Sequence, residues 1–265
     1  MRGRPMRHAG HVALGFLLFW LAAPTAAQQD GARFDHGIFD RLLAAHVTPE
    51  GLVDYDAFAS SAELETYLES LAKADIALLP VPERLALWIN AYNAYTIELI
   101  NRHDERESIR NINKALGFIR GKGPWKERFA NVGGYEYTLD EIEHDVIRPR
   151  FEEPRIHFAL VCAAVGCPQL RNEAYTAERL DEQLDEQARD FLLDHPDKNR
   201  VDVEARTVYL SPIFDWYRED FPEGREELGR YLASYLPEGA ARDMLESGDF
   251  DVEFTHYDWS LNAVP

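Results

Sequence analysis

The sequence is poor in cysteine and in positive charge. Its 265 residues include 2 Cys, and 28 Lys+Arg stand against 47 Asp+Glu, a formal charge of −19. Two cysteines cannot make a disulfide-dense scaffold, nor by themselves a four-cysteine zinc site. A surface this acidic repels nucleic-acid phosphates and anionic lipid headgroups, so nucleic acid is not an expected partner. No Gly-rich phosphate loop, H-E-x-x-H or G-x-S-x-G occurs. Nucleotide chemistry, zincin proteolysis and hydrolase-fold esterase chemistry therefore have no motif, and the sequence calls for no cofactor or metal. Beyond residue 27 no apolar run reaches the roughly 20 residues that a membrane span needs. What is present is ordinary globular material: a hydrophobic content of 46% argues against global disorder.

The first 27 residues read as a leader. Arg2, Arg4 and Arg7 precede the uncharged apolar run Val12–Ala23, and Pro24-Thr25-Ala26-Ala27 supplies small residues before Gln28. This is the layout of a secretory signal peptide cleaved after Ala27. The run is too short for a span, so no stable membrane insertion is expected after cleavage. Cleavage leaves 25 basic against 47 acidic side chains, a net −22. Export to the periplasm or the exterior puts Cys162 and Cys167 in an oxidising compartment, where a disulfide is the default state.

No linker or repeat interrupts residues 33–260, so residues 28–265 read as a single domain. Apolar spacing predicts helices over 34–46 and 61–74. The strongest helical segment is 82–103. Its apolar residues fall on more than one face, which marks a helix surrounded by core. Asn90 and Asn93 lie on it three residues apart, and buried amides must join a hydrogen-bond network or line a polar site. A hairpin is expected at Gly133–Thr138, followed by a helix over 139–148 with Thr138 and Glu141 as its capping box. Arg155–Cys162 (RIHFALVC) reads as a central strand. A long helix over 176–193, a strand pair at 201–203 and 207–210, helices over 213–217, 225–236 and 240–246, and a strand at 252–255 complete the chain. The expected fold is α+β: a mostly helical single domain with a small central β-sheet.

Candidate chemistry gathers around RIHFALVC. His157, Cys162 and Cys167 are spaced H-x4-C-x4-C. They can form a Cys162–Cys167 disulfide closing the turn, a thiolate site activated by a nearby His or helix N-terminus, a metal site of non-standard spacing, or two inert thiols. Glu141, His144 and Asp145 share a helical face that is either an acid/base or metal cluster or a solvated acidic surface. Arg148, Arg150 and Arg155 form a basic island that either binds a carboxylate or phosphate or pairs with neighbouring glutamates. Asp215-Trp216-Tyr217 and Tyr257-Asp258-Trp259 are aromatic clusters suited to core packing or to stacking on a sugar ring.

The same segments carry a family resemblance. The chain resembles the DUF547 family, a domain of unknown function, through Gly51-Leu-Val-Asp-Tyr55, Leu87-Trp-Ile-Asn-Ala-Tyr-Asn-Ala-Tyr95, Leu139-Asp-Glu-Ile-Glu-His144, Arg155-Ile-His-Phe-Ala-Leu-Val-Cys162, Gly166-Cys-Pro168 and Ser211-Pro-Ile-Phe-Asp-Trp-Tyr217. Tyr257-Asp-Trp-Ser-Leu-Asn262 is similar to the family's closing motif. The resemblance implies an exported bacterial member and little about mechanism. Plant members often lack a cysteine at the position of Cys167, which strengthens the disulfide reading. His157, Asn90 and Asn93 match the more regular part of the pattern and are expected to face one polar pocket.

Two functions follow as expectations. One is a binding or scaffold module stapled by Cys162–Cys167. The other is a Cys/His-type hydrolase or transferase of the cell envelope, with His157 as base, Cys162 or Cys167 as nucleophile, and Asn90 or Asn93 orienting the substrate or binding an oxyanion. The partner stays unknown at this level.

Overall fold

A computed structural model describes residues 31–113 and 123–265. The leader read over residues 1–27 lies outside the described residues, as do residues 121–122 of the Gly121-Lys122-Gly123-Pro124-Trp125 segment, whose glycines and proline read as a loop. Gly31–Pro265 forms one compact unit. Among the described residues no helix is long and apolar enough to cross a membrane.

The organising element is α4 (Val81–Arg102). Pro82 sits in its first turn, where its missing N–H costs nothing, and Arg102 lies in its last turn, beside the negative end of the helix dipole. Apolar residues on all sides let it run through the core, with Leu85–Ile97 buried throughout. Three helices wrap one side: α1 (Gly37–His46), α2 (Tyr55–Ala59) and α3 (Ala62–Ala72). Asp54 and Ser61 cap the last two by accepting from backbone N–H groups.

The hairpin appears as β1 (Ala130–Val132) and β2 (Tyr135–Tyr137), antiparallel, turning at Gly133-Gly134 with both φ positive. Thr138 and Glu141 form the expected capping box and start α5 (Leu139–Glu141). The helix then widens into a π-helical stretch, Ile142–Ile147, before α6 (Arg148–Arg150).

RIHFALVC is not a strand. Ile156–Ala159 is one helical turn, α7, and the chain becomes extended at Leu160. An apolar run buried on every side gives no periodicity that separates strand from helix. The ladder partners a strand would need are replaced by a side chain: Asn93 Nδ2 donates to the Ala159 carbonyl at 3.0 Å, and the Val161 N–H donates to Asn93 Oδ1 at 3.0 Å.

Beyond it lie α8 (Leu180–Arg189), which runs into a second π-helical stretch (Asp190–Asp194), then β3 (Arg200–Asp202), β4 (Thr207–Leu210) and α9 (Ile213–Trp216). The chain ends with α10 (Arg225–Ala233), α11 (Ala240–Ser247) and β5 (Asp251–Phe254). Strand β4 pairs antiparallel with β3 and parallel with β5. The architecture is α+β and mostly helical, but among the described residues the strands form two small sheets rather than a single central one.

Candidate functional site

A cavity of about 200 Å³ opens beside α4. Its polar lining comes from the widened helix and from α7: Asp140, Glu143, His144 and His157. Its aromatic wall is Tyr92, Trp125, Trp216, Tyr217, Tyr257 and Trp259, and Cys162 and Cys167 close one end. Six of the seven segments that carry the family resemblance contribute a residue to this lining. The seventh, Gly51–Tyr55, acts at a distance. The Tyr55 hydroxyl donates to Asn262 Oδ1 at 2.7 Å and Asn262 Nδ2 donates to the Gly51 carbonyl at 3.2 Å. That segment therefore anchors the C-terminal strap on which Tyr257 and Trp259 ride.

The π-helical stretch decides which acids reach the cavity. Regular helical spacing groups Glu141, His144 and Asp145; the structure separates them. Glu141 serves the capping box and pairs with Arg128, and Asp145 faces solvent. Glu143 is buried and lines the cavity with His144 and Asp140 instead. A π turn inserts an extra residue and so re-aims side chains, a device frequent at functional sites. Asp140 is held by Lys126 at 2.6 Å. Burial pushes the Glu143 carboxyl up; the Tyr217 and Tyr92 hydroxyls and the charges of His144 and Arg148 offset only part of that.

His157 is engaged before any ligand arrives. Its side chain is 1% exposed, and Nε2 lies 2.6 Å from Asp220 Oδ2. The ring stacks on Tyr217, centroids 4.0 Å apart and planes 26° apart. Burial pulls the imidazole down to about 4, against the pull of Asp220 in the other direction. Asp220 also takes Arg148 Nε at 2.5 Å and Nη2 at 3.0 Å, and Arg148 Nη1 lies 2.7 Å from His144 Nδ1. Burial pushes the Asp220 carboxyl up, but the hydrogen bonds from Arg148 and His157 outweigh it and hold the group below its ordinary value.

The two cysteines are joined. Cys162 and Cys167 form a disulfide across the turn, with Cα atoms 6.3 Å apart. The Tyr257 hydroxyl covers both sulfurs, 3.0 Å from Cys162 and 3.2 Å from Cys167. No thiolate stands beside His157.

Asn90 and Asn93 do not share a pocket with His157. Asn90 Nδ2 donates to the Tyr175 carbonyl at 2.8 Å, and Asn90 Oδ1 accepts from the Tyr175 N–H at 2.9 Å; Asn93 likewise donates to the Ala159 carbonyl and accepts from the Val161 N–H. Both amides bind backbone, and neither lines the cavity. Of the basic island, Arg148 pairs with Asp220, and Arg155 pairs with Glu153, Asp181 and Asp185. Among the described residues, no group of three or more His, Cys, Asp or Glu is arranged to hold a metal ion.

Residues 76–192 match the model of a family described as "Protein of unknown function, DUF547". This segment is a DUF547 domain. It holds Tyr92, the acidic helix, His157 and both cysteines; Trp216, Tyr217, Tyr257 and Trp259 come from beyond it. No curated protein and no solved structure matches the chain. Within the DUF547 domain, Asp140, Glu143 and Tyr92 escaped sequence reasoning, as did Asp220 outside it. Asp220 stands 63 residues from His157, and no local spacing signals so distant a partner.

Proposed function

We propose that this DUF547 protein is an exported binding module whose cavity takes a single hydroxylated ring of the sugar class. The observation that carries this reading is the pairing of an aromatic wall with a polar floor. Trp216 and Trp259 stack at 5.7 Å, Tyr257 lies 4.8 and 4.6 Å from them, and Trp125 meets Trp259 edge-on at 6.0 Å. Trp216 remains 48% exposed, so part of a large apolar ring is free to receive a ligand. Lining the same cavity are Glu143, Asp140, His144 and two further tyrosines, Tyr92 and Tyr217. A sugar offers the matching pattern: an apolar face of C–H groups and a rim of hydroxyls. The cavity is smaller than the roughly 300 Å³ at which pockets for drug-sized ligands begin, which suits one ring rather than a chain.

The Cys/His-type hydrolase or transferase draws less support. Its candidate nucleophiles are bonded to each other and its candidate base already faces Asp220. The same disulfide supports export into an oxidising compartment.

The test is a tryptophan-fluorescence titration with glucose, N-acetylglucosamine and glucuronate. A saturable change with at least one sugar, weakened tenfold or more in Trp216→Ala and Glu143→Gln, is expected. No response to any of the three would overturn the proposal.

A further inference from the structure

A second cavity, of about 500 Å³, lies on another face of the protein and shares no residue with the first. It sits between the 3-10 turn Ile76–Leu78, the start of α4 and the β1–β2 hairpin. Trp88 and Tyr137, edge to face at 5.4 Å, form part of its wall. Tyr135, 70% exposed, stands at its rim. Arg84, Arg150 and Asp75 are the charged groups that line it.

We propose that this groove binds an oxyanion, a carboxylate or a phosphate, carried on an apolar body. The arginines are the reason. The chain carries 47 acidic residues, and nearly every described arginine has found a carboxylate. Arg110 and Arg200 instead lie over the rings of Trp259 and Tyr209. Among the described residues, Arg84 and Arg150 alone of the arginines have neither an ion pair, a side-chain hydrogen bond nor a ring beneath them. Asp75 lines the same groove and pairs with neither.

Two features make the pair more than surface charge. Arg84 Nε is buried without an acceptor, a costly state that native proteins rarely leave unexplained. And the two like charges converge on one concavity from distant parts of the chain, the first turn of α4 and the end of α6. Placing them together is unfavourable until an anion sits between them. A guanidinium offers its donors as a planar fork, suited to the paired oxygens of a carboxylate or phosphate. The volume and the aromatic lining fit an organic ligand rather than a bare ion.

Calorimetry on the whole protein tests this with 3-phenylpropionate, phenyl phosphate and the neutral 3-phenylpropanol. At least one anion is expected to bind with submillimolar affinity, more weakly as salt rises, and at least tenfold more tightly than the alcohol. The tighter anion identifies the headgroup. Arg84→Gln and Arg150→Gln should each weaken it tenfold or more. Arg150 is exposed, so its variant folds even if the α4 variant does not. Failure of both anions to bind would overturn the proposal, as would equal affinity for the alcohol or undiminished affinity in a folded Arg150→Gln protein.

Discussion

Asp220 Oδ2 stands 2.6 Å from His157 Nε2, and the imidazole is shielded from solvent while the carboxylate is partly exposed. The carboxylate pulls the imidazole upward, but it is shared with Arg148, whose own charge works the other way. Burial therefore prevails and His157 is pulled down to about 4. Unfolded histidine titrates near 6.5. Between these values the unfolded chain takes up a proton that the folded chain refuses. The stability involved is fully present above pH 6.5 and is lost as pH falls towards 4. His36, also lowered to about 4 by burial, acts in the same direction. Glu143, raised by burial, acts in the opposite one. Replacing His157 by Gln should flatten the acid limb of the stability curve by roughly 3 kcal/mol across this window. Urea denaturation at pH 7, 5.5 and 4.5 measures it; parallel curves for both proteins would contradict the assignment.

The disulfide yields a chemical and an energetic expectation. Unreduced protein should take up no iodoacetamide, and reduced, denatured protein should take up two equivalents. The loop it closes is short, a sequence separation of five. Chain entropy then limits its contribution to about 2 kcal/mol. The Cys162→Ser/Cys167→Ser protein should fold, with its denaturation midpoint lowered accordingly. Labelling of the unreduced protein would restore the thiolate reading.

The helices legible in the sequence include α1, α3, α4 and α8 through their apolar period, α5 through its cap at Thr138, and α9, α10 and α11; the short α2 was not legible. RIHFALVC misled because Ile156–Val161 are all buried, leaving composition to suggest a strand where Asn93 in fact supplies the pairing. The site was half legible. His157, the two cysteines and the aromatic clusters announced themselves by type. Glu143 did not, because a π turn changes which face a residue occupies and no local rule marks where one begins. Asp220 did not, because its role exists only once α7 and the segment after α9 are packed together.

Asn90 invites a test that separates its donor from its acceptor. Its amide satisfies both polar groups of Tyr175 in the core. Truncation to Ala strands a buried N–H and a buried carbonyl, each worth about 1–3 kcal/mol, so a loss of about 2–6 kcal/mol is expected. Asn90→Asp keeps the acceptor but turns a carboxylate oxygen towards the Tyr175 carbonyl, and should be as damaging as Ala. Chemical denaturation compares them. A mild Asn90→Asp would mean that the carbonyl contact contributes little.

Gly166 fixes how closely the cystine turn approaches the C-terminal strap. Its N–H donates to the Asp258 carbonyl at 2.8 Å, and Val165 N–H donates to Ser260 at 2.9 Å. A Cβ on residue 166 would lie 2.8 Å from Asp258 N, 3.0 Å from its carbonyl oxygen and 3.0 Å from Tyr257 Cδ1. Two of these are backbone atoms and cannot rotate away, so Gly166→Ala must push the strap outward. The strap carries Tyr257 and Trp259, hence one wall of the cavity. We expect a loss of about 1–3 kcal/mol, together with altered tryptophan emission and a lost response to any sugar that the native protein binds. Gly123→Ala is the control: a Cβ there meets nothing within 4 Å and should change stability by no more than about 0.5 kcal/mol. If Gly166→Ala matches that control in denaturation and in fluorescence, the strap is not held by this contact, and its other anchors, Asn262 on Tyr55 and Ser108 Oγ on the Trp259 carbonyl among them, position the aromatic wall.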